Sequence, residues 1–317
     1  MADLKNELSW SMSRMGMLHS CKRQYYHRYY GFWGGWSYDA PDESRIAYRF
    51  AKMHSLPTLC GVAVHETIAN LLFDILETGA VQAENPAYHA RKEILTRTWL
   101  EAEQELWKRN PKKHPPIFEL YYGPRPSPEA LKEVGRKCSR CVNTFLESDI
   151  FKEFSTDDTS QWLAIEKPLN ADPYDPDSSI LKIEGKTIWC LPDFARRKNG
   201  IIELWDWKTG SPRPADRDQL HTYALFAREI WGAEPHEIRL FDMYLNAEAG
   251  NAKIVEHPCD ENILAMKEKD IREDLEVMRS LLSDPSDNLP HPAESHFPMT
   301  ENRHTCDRCY FKELCGR

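Results

Sequence analysis

The sequence predicts an α/β fold with a mixed central sheet flanked by helices and a helical insertion, and three observations lead to this prediction. Apolar residues at helical spacing dominate residues 61–160, ahead of the strand-like segments. Short apolar runs broken at Glu184-Gly185 and at Asn199-Gly200 follow, and Asn-Gly between apolar runs is a strong hairpin signal. A helical segment and a further strand come next, an order that indicates an α/β core with a helical addition.

Four segments, which we expect to form one compact unit, can be separated by composition. The helical region contains two predicted helices, at 86–109 and 128–147, joined by a proline-rich loop. The segments are 1–60 at the N-terminus, the helical region 61–160, the core 161–250, and 251–317 with a helix and a tail.

The predicted elements of the core alternate between strands and helices. WLAIEKPL, from Trp162, is short, apolar and typical of a strand, and the segment 181–210 indicates three more strands. A helix is predicted at about 215–229, then the strand IRLFDMYL from Ile238, then a long amphipathic helix at about 261–282.

The bulk composition narrows the class of protein. The chain has 317 residues, a net charge of -9 and a pI near 5.8, which argues against a protein that coats nucleic acid over its whole surface. A local basic groove remains compatible with this charge. With no run of about 18 apolar residues and no signal-peptide pattern, we expect a cytoplasmic protein without a membrane partner. Three basic patches could contact DNA or form solvated faces: Lys22, Arg23 and Arg28; Lys108, Arg109, Lys112 and Lys113; and Arg196, Arg197 and Lys198.

Two aspartates flank the predicted Asn199-Gly200 turn at equal distances. If these two residues form the turn, Asp193 and Asp206 lie directly opposite each other on neighbouring strands, with Cβ atoms about 5 Å apart. Carboxylates so placed repel each other unless a cation lies between them, and Mg²⁺ or Mn²⁺ suits such oxygen ligands. Lys208 follows Asp206 by two residues and therefore projects from the same face of the strand.

Two acids, a lysine and a divalent metal are the parts needed for phosphodiester hydrolysis. The metal lowers the pKa of its bound water and neutralises charge on phosphate, and a lysine can orient that water. The alternative is a surface hairpin with an ordinary ion pair between Asp206 and Lys208. The neighbouring Ile, Leu, Trp and Phe residues favour the metal site, because buried acids without partners are costly.

The motifs around these residues resemble the RecB-like branch of the PD-(D/E)xK nucleases, which have a restriction-endonuclease-like core. Asp193 in LPDF and DWKTG at 206–210 resemble two of its motifs, and GVAVH, ending in His65, resembles a third. Gln219 and Tyr223 in QLHTY resemble the Q-x-x-x-Y motif.

The resemblance implies a role for each of these residues. His65, Asp193, Asp206 and the carbonyl of Trp207 would hold the metal, and Lys208 would orient the attacking water. Gln219 and Tyr223 share a helix face and would contact DNA.

Each of the less certain roles has a structural alternative. Tyr223, with Gln219 as a polar neighbour, could serve helix packing, and His65 could be a hydrogen-bonded core histidine. Glu166, on the strand before the hairpin, could be a further acidic ligand or a surface carboxylate.

Nine cysteines are present, and in a reducing compartment disulfides are a poor explanation for them. Cys306, Cys309 and Cys315 have a spacing that suits a soft metal or a cluster. Cys21 lies in a segment that resembles the N-terminal cluster ligand of AddB-type helicase–nuclease subunits and of CRISPR adaptation nucleases. This resemblance implies a [4Fe–4S] cluster and a C-terminal tail bound to it, and zinc is the alternative.

The other cysteines carry no such signal. Cys138 and Cys141 form a C-x-x-C pair, but it falls within a helical pattern, so we expect plain packing. Cys60, Cys190 and Cys259 have no partners at ligand spacing and are predicted to be buried.

The resemblance as a whole implies a DNA exonuclease or end-trimming nuclease acting on single-stranded or frayed ends. A non-catalytic DNA-end-binding or redox-sensing module is one alternative. A subunit that works beside a helicase or integrase is compatible with the first hypothesis, since the sequence contains no P-loop motif.

Overall fold

The computed structural model describes residues 5–169, 175–247 and 251–317. It confirms the predicted mixed α/β architecture, because a five-stranded sheet lies between two layers of helices. The strands are β1 (Ser9–Trp10), β2 (Trp162–Ile165), β3 (Lys182–Ile183), β4 (Lys186–Ile188), β5 (Phe194–Lys198), β6 (Ile201–Lys208), β7 (Ile238–Tyr244), β8 (Lys253–His257), β9 (Leu282–Asp284) and β10 (Leu289–Pro290).

Most predicted helices are present, with additional short ones. The α-helices are α1 (Met12–Ser20), α2 (Lys22–Tyr26), α3 (Asp42–Ala51), α4 (Leu56–Thr78), α5 (Pro86–His89), α6 (Arg97–Glu103), α7 (Phe118–Tyr121), α8 (Pro128–Leu146), α9 (Asp149–Phe154), α10 (Pro214–Trp231), α11 (Glu261–Arg279), α12 (Ala293–His296) and α13 (Arg303–Asp307). π-helical segments are His27–Gly31 and Ala90–Thr96; 3₁₀ turns are Leu106–Lys108, Thr159–Gln161, Pro176–Ser179, Pro235–Glu237 and Lys312–Cys315.

The central sheet has the order β2-β5-β6-β7-β8. β6 and β7 are parallel and are connected through α10, whereas the other neighbours are antiparallel. β6 is therefore the middle strand. Its residues 202–207 are all buried, as expected for a strand covered on both faces.

The β5–β6 hairpin has the predicted register. Phe194 pairs with Trp205, and Asn199 and Gly200 form the turn with φ values of 52° and 83°. Positive φ at both turn positions is typical of a type I′ hairpin turn, which Asn-Gly favours. Asp193 lies one residue before β5, immediately beyond the paired part of the hairpin.

The two faces of the sheet contact different helices. Trp205 and Trp207 of β6 belong to a core formed with α4 and α8. Ile202 and Leu204 belong to a second core formed with α10 and α11. Because side chains alternate along a strand, Asp206 and Lys208 are on the face of Leu204, toward α10.

The helix that carries His65 begins at Leu56 and therefore crosses the predicted boundary between residues 60 and 61. Ser55 caps its first turn, and Gly79, with φ of 77°, ends it. By length and composition α4 is long and apolar enough to cross a membrane, contrary to the expectation from the sequence. Its apolar side chains pack against α8 and the sheet in the main core, which accounts for its composition.

Two small sheets complete the fold. β1, β4 and β3 form one of them, with Glu184 and Gly185 as the turn between β3 and β4, so these strands do not join the central sheet. β9 and β10 form the other. The sequence patterns did not predict β1, β8, β9 or β10, and β8 extends the central sheet beyond the predicted boundary at 250. Segment 181–210 forms four strands and not three, because the predicted middle strand is divided into β4 and β5.

The N-terminal helices and the C-terminal tail pack together. Arg23 donates hydrogen bonds to the backbone carbonyls of Phe297 (2.8 Å) and Ala293 (2.9 Å). The His27 ring stacks on Phe311 with ring centroids 5.9 Å apart. Arg23, a member of one of the candidate DNA-binding patches, thus joins the two ends of the chain.

Candidate active site

The two aspartates that flank the hairpin line one cavity at the end of β6. Asp193 and Asp206 have exposed fractions of only 8% and 2%, so their charges are largely removed from water. Asp193 Oδ2 accepts a hydrogen bond from the backbone N–H of Trp207 at 2.6 Å. This bond holds Asp193 against β6 although it lies beyond the paired strand.

His65 enters the same cavity from α4. Its Nδ1 lies 3.2 Å from Asp193 Oδ1 and 3.9 Å from Glu166 Oε1. Glu166 directly follows β2, has a left-handed φ of 57°, and donates its backbone N–H to the carbonyl of Asp193. One ligand atom each from His65, Glu166 and Asp193 lies within 4.8 Å of the others, a grouping that suits a metal ion.

The pKa values reveal an excess of negative charge in this cavity. Burial, and then repulsion by Asp193, raises the pKa of Asp206 and that of Glu166, each to about 7. Burial alone would lower the pKa of His65, but the Asp193 carboxylate, helped by Asp206 and Glu166, raises it to about 9. Either protons or a cation would relieve the repulsion.

Lys208 is surrounded by acids on the α10 side of the sheet. Its Nζ forms an ion pair with Asp206 and donates to Gln219 Oε1 at 2.9 Å. Carboxylate oxygens of Asp242 and Asp216 lie 3.8 and 3.9 Å from it. Burial favours the neutral amine, but these carboxylates outweigh burial and raise the pKa of Lys208, so the side chain stays protonated.

Gln219 and Tyr223 share one face of α10, as predicted, and both belong to a hydrogen-bond chain. Gln219 Nε2 donates to the Tyr223 hydroxyl, which in turn donates to Asp206 Oδ1 at 3.1 Å. Tyr223 is 4% exposed. Its hydroxyl therefore orients Asp206, whereas Gln219 lines the open cavity.

Comparison of the whole sequence with known protein families identifies the superfamily. A profile of the PD-(D/E)XK nuclease superfamily matches residues 9–316, nearly the entire chain. The chain belongs to the PD-(D/E)XK nuclease superfamily. Searches of curated proteins and of solved structures found no significant match.

PD-(D/E)XK nucleases use divalent metal ions, and the geometry identifies residues that could hold one. His65 and Asp193, both predicted ligands, are in direct contact, and Asp206 and Trp207 line the same cavity. Glu166, which the sequence indicated to be either a further acidic ligand or a surface carboxylate, joins His65 and Asp193 in the acidic group.

Two buried acids near Lys208 were missed by the sequence reasoning. Asp216 accepts from the Tyr244 hydroxyl at 3.0 Å, and Asp242 lies beside Asp206 in the parallel register of β6 and β7. His257 contacts Asp242 Oδ2 at 2.8 Å, while Oδ1 has no hydrogen-bond partner among the described residues. The available signal for Asp242 was an aspartate inside the apolar run IRLFDMYL, similar to the apolar neighbours that favoured a metal site at Asp193 and Asp206.

The four cysteines predicted to bind a cluster converge where the chain ends meet. All four line one cavity between α2 and the C-terminal tail. Arg317 Nη1 lies 3.1 Å from Cys306 Sγ, and the backbone N–H of Phe311 donates to Cys309 Sγ at 3.4 Å. The lining cysteines are Cys21, Cys306, Cys309 and Cys315.

The remaining cysteines differ partly from expectation. Cys138 and Cys141 are buried in the main core, as predicted. Cys60 and Cys138 are buried in the same core, where α4 packs against α8, a proximity that sequence spacing cannot reveal. Cys190 is buried, whereas Cys259 is only partly buried, which corrects the prediction for that residue.

Proposed function

We propose that this superfamily member is a deoxyribonuclease that hydrolyses single-stranded or frayed DNA ends with Mg²⁺ or Mn²⁺. One observation carries the proposal: His65, Glu166 and Asp193 offer three ligand atoms within 4.8 Å, beside the buried Asp206. A histidine and hard carboxylate oxygens suit a divalent cation. The raised pKa values of Asp206 and Glu166 are those expected of carboxylates whose counter-charge is a cation.

In this proposal His65, Asp193, Asp206 and the Trp207 carbonyl hold the metal, with Glu166 as an additional ligand. A bound divalent cation would supply an acidified water and neutralise charge on the phosphate. The residues of the chain do the positioning. The Trp207 N–H fixes Asp193, and the Tyr223 hydroxyl fixes Asp206.

Lys208 is proposed to orient the attacking water and to stabilise negative charge on the phosphate. Its ammonium lies at the edge of the cavity that Asp193 and Asp206 line. The surrounding acids and Gln219 hold it there in the charged form. We propose that Gln219, which lines the opening, contacts the DNA strand, with Tyr223 acting behind it.

We further propose that Cys21, Cys306, Cys309 and Cys315 bind a [4Fe–4S] cluster. A single zinc ion, with Zn–S bonds of about 2.3 Å, would hold its sulfurs within roughly 4 Å of one another. Among the described residues the His65 group is the one set of three ligand atoms within 4.8 Å, so the cysteine sulfurs are spread more widely. The four cysteines of a [4Fe–4S] cluster bind separate irons, so this proposal does not require three sulfurs within 4.8 Å of one another.

A non-catalytic DNA-end-binding protein is the second candidate, and a helicase or integrase partner is compatible with either candidate. The presence of Lys208 together with all of the acids favours catalysis, since a superfamily member that has lost its activity usually lacks the lysine or one of the acids.

The test uses anaerobically purified protein and an end-labelled single strand with Mn²⁺. Lys208→Ala should lower the hydrolysis rate by about 100-fold or more while Mn²⁺ binding, measured by calorimetry, is retained. Lys269→Ala, on the exposed side of α11, is the control and should leave the rate unchanged. An unchanged rate in Lys208→Ala would refute the proposed mechanism. Visible absorbance and iron content of the same sample test the cluster.

A further inference from the structure

A groove runs beside the active site, between the N-terminal segment and helices α10 and α11. It shares Arg213, Asp216 and Gln219 with the cavity that contains the metal-ligand candidates. The two spaces therefore adjoin at these side chains, so a strand whose phosphate lies at Asp206 has the groove directly beside it. The proposed hydrolysis at the metal site does not depend on this groove, so the groove has a separate role.

Trp189 lines this groove with 58% of its surface exposed. Its backbone is fixed, because its N–H donates to the carbonyl of Trp10 at 2.8 Å. Trp10 is itself buried and donates its indole N–H to Asp274 at 2.9 Å. A rigid backbone with a large exposed indole is a ready stacking surface, and Met12 and Leu191 add an apolar lining.

The charge of the groove indicates which part of a nucleic acid it accepts. Its cationic side chains are few, namely Arg213, Lys267 and, when protonated, His19. Carboxylates also line the groove. They would repel a sugar-phosphate backbone, whereas they can accept hydrogen bonds from the amino groups of bases. The carboxylates that line the groove belong to Asp216, Asp218, Asp270, Glu273 and Asp274.

We propose that this groove binds the bases of single-stranded DNA, with Trp189 stacked on one of them. The proposal rests on the proposed nuclease function and specifies its substrate: the backbone stays at the metal site while the bases turn toward α11. Bases in a duplex are already paired and stacked, so only unpaired nucleotides fit. Cytosine, whose amino group can donate a hydrogen bond to a carboxylate, should bind better than thymine.

Binding is tested separately from hydrolysis. Fluorescence anisotropy with labelled 12-nucleotide dC and dT strands in Ca²⁺, at pH 8, compares wild-type protein with Trp189→Ala and Trp189→Phe. Loss of a stacked base should weaken binding by roughly 5- to 150-fold in Trp189→Ala, and Trp189→Phe should recover most of it. Trp36→Ala is the matched control, since Trp36 is 45% exposed and is not among the residues that line the groove.

The acidic wall is tested by the ratio of the two affinities. Wild-type protein should bind dC more tightly than dT, by roughly 5-fold or more, and the double variant Asp270→Asn, Glu273→Gln should reduce that ratio toward one. Equal affinities of Trp189→Ala and wild-type protein for the strands would overturn the inference. It would also be overturned if the groove bound a protein partner and no DNA strand. Failure of the nuclease proposal would show differently, as strand binding in Ca²⁺ without hydrolysis in Mn²⁺.

Discussion

Replacing Asp206 by asparagine should stabilise the metal-free protein at pH 8 while abolishing its response to metal. Asp206 is 2% exposed, and burial followed by repulsion from Asp193 raises its pKa from 3.8 to about 7. At pH 8 the folded protein must keep this carboxylate ionised, which costs about 4 kcal/mol relative to the unfolded chain. Asparagine removes the charge. Because it also weakens the contact with Lys208, we expect a net gain of about 2 to 3 kcal/mol.

The raised pKa of Asp206 also determines whether the stability of the metal-free protein rises or falls with pH. A carboxyl whose folded-state pKa is raised stabilises the fold below its unfolded pKa, and the contribution is lost as pH rises through about 7. Between pH 6 and 8 the metal-free wild-type protein should lose about 1 to 2 kcal/mol from Asp206. The raised pKa of His65 acts in the same direction.

The assay is thermal and urea unfolding of chelator-treated protein at pH 6 and pH 8, with and without Mn²⁺. The wild-type melting temperature should fall by about 3 °C or more over this interval and recover with Mn²⁺. Asp206→Asn should lose less stability over the same interval, with the remaining loss due to His65 and Glu166, and it should not respond to Mn²⁺. Asp287→Asn, at an exposed turn, is the control. A wild-type protein that gains stability toward pH 8 without metal, or an Asp206→Asn variant less stable than wild type at pH 8, would refute the reasoning.

Three further predictions concern other parts of the structure. Arg196→Met should cost about 3 to 5 kcal/mol in urea unfolding, because it leaves Glu203 buried without its partner; a loss under 1 kcal/mol would contradict this. Gly200→Ala should cost about 1 to 2 kcal/mol, since φ of 83° disfavours a side chain, and an unchanged unfolding midpoint would count against the turn geometry. Cys309→Ser should lower the iron content and visible absorbance of anaerobically purified protein, and unaltered values would argue against the cluster.

Local sequence signals predicted the hairpin and the positions of the side chains beside it. Asn199 and Gly200 fixed the turn, and the turn fixed the register that brings Asp193 beside Asp206. The spacing of Gln219 and Tyr223 placed both on one helix face, as observed. These features depend on residues close in the chain, where backbone geometry leaves few alternatives.

Features that depend on distant parts of the chain were predicted less well. The acids Asp216 and Asp242 come to Lys208 through the α10 crossover and the parallel pairing of β7, which no local pattern encodes. The basic run from Arg196 to Lys198 suggested a DNA-binding patch, yet Arg196 is 1% exposed and paired with acids. Contacts between residues that are distant in the chain determine whether such a basic side chain is exposed or paired with acids.

Hydrolysis of an end-labelled DNA single strand, measured against Mn²⁺ concentration in wild-type protein and in Asp193→Asn, tests the central claim most directly. Asp193 contacts His65 and the Trp207 N–H, so asparagine keeps a similar shape while removing a charged metal ligand. We predict hydrolysis that saturates with Mn²⁺ in the wild-type protein and is lost in the folded variant. Hydrolysis by Asp193→Asn at the wild-type rate, or hydrolysis by the wild-type protein that persists without divalent cations, would contradict the proposed site.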